Sequence, residues 1–270
     1  MDSVVDPDIP DYTAIPWGKT GRTITLGLVS LFSKAVLHVM NSTTFVNEAR
    51  MHELAMRRPE GVGLITVCNH TSTFDDPGVV SNLVPWSYFL QEGKYGGIRW
   101  TFCAADICFR NEFLRQFFIT GKTLPVERGG GLDQPSLHQV AEMVKRGDWA
   151  HVFPEGRVSF TGKVLPMKWG VGKMVCDSLK EDGSAAIVLP FFHSGMGAVM
   201  PNKARFPRAG NQVEVVIGEP IDLSDLTCKC NQKGNPHEAW QEITQRIETS
   251  LKKMEENAKP NRDQTLSNPS

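Results

Sequence analysis

A chain of 270 residues, 40% of them hydrophobic, is long enough to bury one substantial core. Its 29 basic and 30 acidic residues leave a net charge of -1, which supplies no global attraction to nucleic acid, so no nucleic-acid partner is expected. The six cysteines are scattered through mostly apolar stretches, the pattern of free buried thiols rather than a disulfide framework. Cys228 and Cys230 with His237 lack the spacing of a zinc knuckle, so no metal is expected either.

In chain order, residues 1–22 form an N-terminal segment that opens with MDSVVDPDIPDY, acidic and proline-bearing, unlike a secretory signal or an arginine-rich transit peptide. Residues 23–40, TITLGLVSLFSKAVLHVM, are mostly apolar but carry Lys34 inside the run, which is costly for a helix crossing hydrocarbon. On a helical projection Lys34 and His38 share one face, and Leu28, Leu31, Phe32, Ala35 and Val39 gather on another. Two readings stand: an amphipathic helix lying on a membrane surface, or one packed on the core.

Downstream, GLITVC (63–68), RWTFCA (99–104), KTLPV (122–126), WAHVF (149–153), AAIVLPFF (185–192) and VEVVIG (213–218) read as strands. DICFRNEFLRQFFI, SLHQVAEMVKRG and KWGVGKMVCDSLK between them read as helices, the second closed by Gly147. This alternation predicts a single α/β domain over residues 41–258 with a mixed, mostly parallel sheet flanked by helices. PGVVSNLVPWSYFL (77–90) is a second membrane suspect, with Trp86 and Tyr88 placed as interfacial anchors. HEAWQEITQRIETSLKKMEE repeats its apolar residues at intervals of three and four and should dock on the core. Residues 259–270 have too few apolar side chains to order and are expected to form a disordered tail.

Several catalytic templates fail. Each GKT lacks the glycine five residues earlier that a phosphate loop needs, those positions being Thr13 and Gln116. GMGAVM has Met200 where a dinucleotide fingerprint needs glycine, and no G-x-S-x-G elbow occurs. At 69–77 the chain reads NHTSTFDDP, at the end of a predicted strand. Asp76 is read as a helix cap and Pro77 as the first helical residue, which makes His70 to Asp75 the turn between them at the carboxyl edge of the sheet. In such a turn Asp75 can accept from one imidazole nitrogen and leave the other as a base. The competing reading is a polar turn with a structural histidine.

FPEGRVS (153–159) sets Glu155, Gly156 and Arg157 at another strand end, where glycine lets the backbone turn and an arginine fork suits phosphate, or where an ion pair simply decorates a surface turn. GKTLPVERGGG (121–131) adds Lys122 and Arg128, a phosphate cradle or a mobile loop.

Taken together, N-H-x-S-x-x-D (Asn69 to Asp75), a G-x-x-x-P-x-x-R-like block (Gly121 to Arg128), F-P-E-G-R (Phe153 to Arg157) and IVLP (187–190) resemble the four blocks of the glycerophospholipid acyltransferase superfamily. NHTSTFDDP, AADICFRN, GDWAHVFPEGRVS, KWGVGKM and LPFFHSGM narrow this to a resemblance to the tafazzin family, from about residue 15 to 222. Arg157 departs from it, standing where many tafazzins have lysine, and so does the acidic N-terminus.

The resemblance implies transfer of an acyl group from a phospholipid to a lysophospholipid without acyl-CoA, remodelling cardiolipin with phosphatidylcholine as a partner lipid and without a cofactor. It implies monotopic attachment to mitochondrial membranes facing the intermembrane space. Carried onto these positions, it makes His70 the base and Asp75 its orienter. Arg128 and Arg157 would bind lipid phosphate, Glu155 and Gly156 would help bind phosphate or glycerol, and Asn69, Ser72, Lys122 and His193 would support the site. Backbone amides around Ser72 or Gly156 would be oxyanion donors. Rival expectations are an acyl-CoA-dependent acyltransferase, an enzyme acylating the amine of phosphatidylethanolamine, and a non-catalytic lipid-binding protein on the same fold.

Overall fold

The computed structural model describes residues 14–90, 97–231 and 236–266. The first apolar segment is helix α1 (Gly18–Ala35), continued by a π-helical turn over Val36–Met40. This helix is inverted relative to a core helix: Arg22, Thr25, Ser30 and Ser33 are buried, whereas Ile24, Leu28, Leu31 and Phe32 are more than half exposed. Its inner face sets Leu26 into the core beside α3 and also carries polar groups that bond to backbone carbonyls. Arg22 Nε donates to Thr120 O at 3.1 Å, and Lys34 Nζ to Val84 O at 2.9 Å.

The chain continues through β1 (Ser42–Val46), α2 (Glu48–Met56), β2 (Leu64–Cys68), α3 (Asp75–Asn82), a short 3-10 turn over Trp86–Leu90, β3 (Thr101–Ala104), α4 (Ala105–Cys108), α5 (Glu112–Thr120), β4 (Thr123–Val126) and α6 (Pro135–Lys145). It is completed by β5 (Trp149–Val152), α7 (Gly170–Asp177), β6 (Ile187–Ser194), α8 (Met196–Val199), β7 (Gln212–Ile217), α9 (Ser224–Thr227) and α10 (Pro236–Leu266). Five strands form a sheet in the order β1-β7-β6-β2-β5, parallel except for the β6–β7 pair. β3 and β4 form a parallel pair that joins the β5 edge through one parallel bridge, Trp100 to Ala150. β2, β5, β6, β3 and β4 therefore end at a common edge.

Every residue of β2 is buried, as a strand covered on both faces requires. Ile65, Val67, Val188 and Phe192 face a layer of α6, α7 and α10, whereas Leu64, Leu189, Phe191 and Val215 face α2 and α3. The predicted stripe of α10 is the docking face, with Ile243, Ile247 and Leu251 fully buried. Gly172 lets α7 approach it, since a Cβ there would lie 2.1 Å from Trp240 O.

Several expectations need correction. The helix expected across 106–119 is broken at Asn111, whose side chain accepts from Leu114 N and starts α5 anew. β1 was not anticipated; STTFV is a short edge strand with only two large apolar residues. The membrane suspect at 77–90 is largely core: Val79, Val80, Leu83 and Val84 are buried, and Tyr88 Oη lies 3.1 Å from both Ala55 O and Gly97 O, between which its one proton is shared, leaving only Trp86 substantially exposed among those large residues. Four cysteines pair, Cys103 with Cys108 and Cys176 with Cys230; the second pair is 54 residues apart in sequence yet 5.4 Å apart between Cα atoms, a proximity that scatter along the chain conceals. The backbone of α10 extends past residue 258 to Leu266, and residues 267–270 lie outside the described residues.

Candidate active site

Two residues beyond the end of β2, His70 enters the turn that leads to α3. Its Nδ1 lies 3.0 Å from Asp75 Oδ2, and the ring stacks on Phe153 with centroids 4.0 Å apart and planes 21° apart. Asp75 is fully buried, and its Oδ2 also accepts from the backbone N–H of Thr71 (2.6 Å) and Ser72 (2.9 Å). A carboxylate held by two amides is fixed in place before it meets the ring. With Nδ1 engaged, Nε2 is the nitrogen left for proton transfer, on a side chain that keeps 18% of its surface exposed.

The expected cap at Asp76 is not made. Its backbone lies outside the helical region, with a cis bond to Pro77, and its carboxylate turns to Arg99, which reaches it through Nε at 3.0 Å and through Nη2. Both partners are buried, so the pair ties the start of α3 to the strand that leads into β3. Regular helix begins at Pro77, as expected.

Glu155 also differs from expectation. Rather than facing a ligand, it is buried and accepts from His70 N (2.9 Å) through Oε1 and Leu165 N (3.1 Å) through Oε2. Burial pushes its carboxyl up to about 7, against the pull of those two amides. Ser159 N donates to His70 O at 2.6 Å, so the loop after β5 holds the His70 backbone at both its N–H and its carbonyl. Gly156 adopts φ +65° with the Lys168 stem packed beside it, a conformation and a spacing that suit glycine.

Asn69 spans β2 and β6, its side chain accepting from His193 N (3.0 Å) and donating to His193 O (2.9 Å). Buried His193 places Nε2 2.9 Å from Asn69 O and 3.5 Å from Asp75 Oδ2, behind the His70–Asp75 pair and not beside it as a second base. Ser72 Oγ donates to Met200 O and accepts from Phe74 N, bracing the turn. The amides of Ser72 and Gly156, expected as oxyanion donors, are committed to Asp75 Oδ2 and Phe153 O.

Of the cationic candidates, Arg157 is exposed and makes no hydrogen bond or ion pair among the described residues. Arg128 lies just past β4, at the same sheet edge, paired with Asp106 through Nε and Nη2. Lys122 does not belong to this group. It precedes β4, at the opposite end of the strand, and its buried Nζ donates to Ile98 O at 3.1 Å and lies over the Trp100 ring.

Sequence reasoning missed His151 and the stacking role of Phe153. His151 is fully buried in β5, its Nδ1 2.9 Å from Thr66 Oγ1 and its ring edge-on to Phe153 at 4.6 Å. Burial lowers it to about 3, so it is neutral packing beneath the His70 stack. Alternation along WAHVF, which puts 151 and 153 on one strand face, was the available signal.

The sequence model of the acyltransferase family matches residues 49–194. The chain is 37% identical over 228 residues to a tafazzin of Drosophila melanogaster, covering 84% of this chain and 58% of that protein. It is 37% identical over 215 residues to an N-acylphosphatidylethanolamine synthase of Arabidopsis thaliana, covering 76% and 72%, and 32% identical over 225 residues to a taffazin of Dictyostelium discoideum, covering 77% and 75%. The crystal structure of the 1-acyl-sn-glycerophosphate acyltransferase of Thermotoga maritima shares the fold, with a TM-score of 0.53 at 20% identity over 86% of this chain and 82% of that one.

Proposed function

The chain belongs to the acyltransferase family and, within it, to the tafazzins; from that premise we propose that it is a CoA-independent transacylase that moves a fatty acyl group from a phospholipid to a lysophospholipid. Phosphatidylcholine and monolysocardiolipin are the substrates assigned, and cardiolipin remodelling is the outcome. The observation that carries this reading is the 3.0 Å contact between His70 Nδ1 and an Asp75 oxygen already pinned by two amides.

His70 Nε2 takes the proton from the free glycerol hydroxyl of the lysolipid as that oxygen attacks the donor's ester carbonyl. Asp75 stabilises the imidazolium that results. The tetrahedral intermediate collapses by breaking the bond to the donor's glycerol oxygen, which leaves with the proton from His70. One ester replaces another, so no cofactor is consumed. The exposed Arg157 guanidinium is assigned to a lipid phosphate, and Arg128 joins it on release from Asp106.

Support for a monotopic attachment comes from the outward apolar face of α1. Residues 23–40 are assigned as the membrane-associated helix, residues 41–258 as the acyltransferase domain, and mitochondrial membranes facing the intermembrane space as the location. A second reading, acylation of the amine of phosphatidylethanolamine, is favoured by the likeness to the plant synthase, equal in identity to that with the fly tafazzin.

The test is to incubate the purified chain with vesicles of acyl-labelled phosphatidylcholine, monolysocardiolipin and phosphatidylethanolamine, with and without acyl-CoA. Label should reach the lysolipid without acyl-CoA and fail to do so in His70→Ala. Transfer that appears only with acyl-CoA overturns the transacylase reading, and label in an amide selects the second one.

A further inference from the structure

Away from His70, a cavity of about 470 Å³ opens between the Val36–Met40 turn, β1 and the start of α2, a size typical of small-ligand pockets. Lys34, His38, Thr44, Glu48, His52 and Asn82 are among its walls, and the acyl-transfer mechanism uses none of them. Asn82 is 3% exposed; its Nδ2 donates to Gly78 O at 2.7 Å, while its Oδ1 is buried without a hydrogen-bond partner. His52 Nε2 is buried in the same condition, 3.4 Å from Glu48 Oε1 but without a hydrogen bond to it.

The charges lining the cavity are of both signs. Lys34 spends one N–H on Val84 O and keeps others for a ligand; burial lowers its ammonium while Glu48 acts to raise it. His38 is exposed at the rim. The Lys34 ammonium and the His38 ring suit a phosphate, whereas Glu48 suits a group that is positive and carries hydrogens to donate. A net anion would meet Glu48 unfavourably, and a quaternary ammonium has no hydrogen to donate to Glu48. A phosphate joined by a short linker to a primary ammonium satisfies both sets.

Location adds to the argument. Val39 and Met40, 83% and 38% exposed, follow His38 on the same turn, so the outward apolar face reaches the cavity rim. Asn82 ends α3, roughly 7 Å along that helix from Pro77, so the cavity lies at the far end of the helix that the His70 turn leads into.

We propose that this cavity is a second, non-catalytic site for a phosphoethanolamine headgroup presented by a membrane phospholipid; the lipid as its source rests on the membrane reading given above.

The full chain in maltoside micelles would be titrated with glycerophosphoethanolamine, glycerophosphocholine and inorganic phosphate, following the ring protons of His38 and His52 by NMR. Parallel sedimentation would compare phosphatidylcholine vesicles with and without phosphatidylethanolamine. The ethanolamine ester should saturate the histidine shifts at concentrations about tenfold below the other two compounds, and vesicles containing phosphatidylethanolamine should retain more protein. Glu48→Gln and Lys34→Gln should each weaken ethanolamine binding about tenfold or more. His70→Ala should bind as the natural chain does while losing transfer, which separates this site from the catalytic reading.

Equal response to choline and ethanolamine esters, no shift with any compound, an unchanged titration in Glu48→Gln, or loss of binding in His70→Ala would each overturn the proposal. Saturation by the soluble ester with no vesicle preference would overturn the lipid source.

Discussion

Asp75 Oδ2 takes the His70 ring nitrogen and two backbone amides, whereas both oxygens of its neighbour Asp76 face Arg99. The two carboxylates therefore answer to different measurements. Asp75→Asn removes the charge that steadies an imidazolium, and kcat for acyl transfer should fall about 10²- to 10⁴-fold with little change in melting. Asp76→Asn leaves Arg99 buried beside a neutral group, and denaturant unfolding should show a loss of about 3–5 kcal/mol, while activity per folded molecule is retained.

Glu155 makes a third prediction. Its carboxyl is raised from 4.5 to about 7, mainly by burial, so between those values the folded chain holds a proton that the unfolded chain has released. Stability from this group is complete below pH 4.5 and is lost as pH rises to about 7, a decline of about 3 kcal/mol. Unfolding curves taken across that range should show the decline flattened in Glu155→Gln. The His70–Asp75 pair was legible because its spacing is local. The work of Glu155 was not, because its partner amide belongs to a residue 85 positions earlier.

At the level of elements, periodicity located an amphipathic helix over 23–40 but not which face looks outward. The structure starts it at Gly18 and turns inward a face that sets Leu26 into the core and bonds Arg22 and Lys34 to the carbonyls of Thr120 and Val84. Phe32 on its outer side meets Phe74 edge-on at 5.9 Å, so the apolar face borders the turn that carries His70. Leu28 and Leu31 are 63% and 55% exposed, and Leu28→Asp with Leu31→Asp should leave melting unchanged. Vesicle sedimentation should fall more than about tenfold, since each leucine taken from water contributes about 1.5–3 kcal/mol. The 77–90 segment shows the converse: an apolar run with aromatic residues reads alike whether it meets lipid or core, and only the sheet beside it decides.

Across the whole molecule, alternating strand and helix patterns were enough to predict an α/β domain, and six of the seven strands among the described residues lie where apolar runs place them. The antiparallel turn of β7 against β6 was not visible, because a β-branched run such as VEVVIG reads alike in either direction. Nor was β1, whose Ser and Thr residues pair with β7 only after the chain has returned from far downstream.

That edge strand also fixes the N-terminal helix. Asn41, between the π turn and β1, donates to Val36 O and Arg208 O and accepts from Asn211 N, and Thr43 Oγ1 donates to Leu37 O. With no slack between helix and sheet, the proposed attachment works as a depth gauge, holding His70 at a set height over the bilayer. Lipids must then rise to meet it, and the rate of exchange becomes a reading of how readily a given membrane lets its esters protrude.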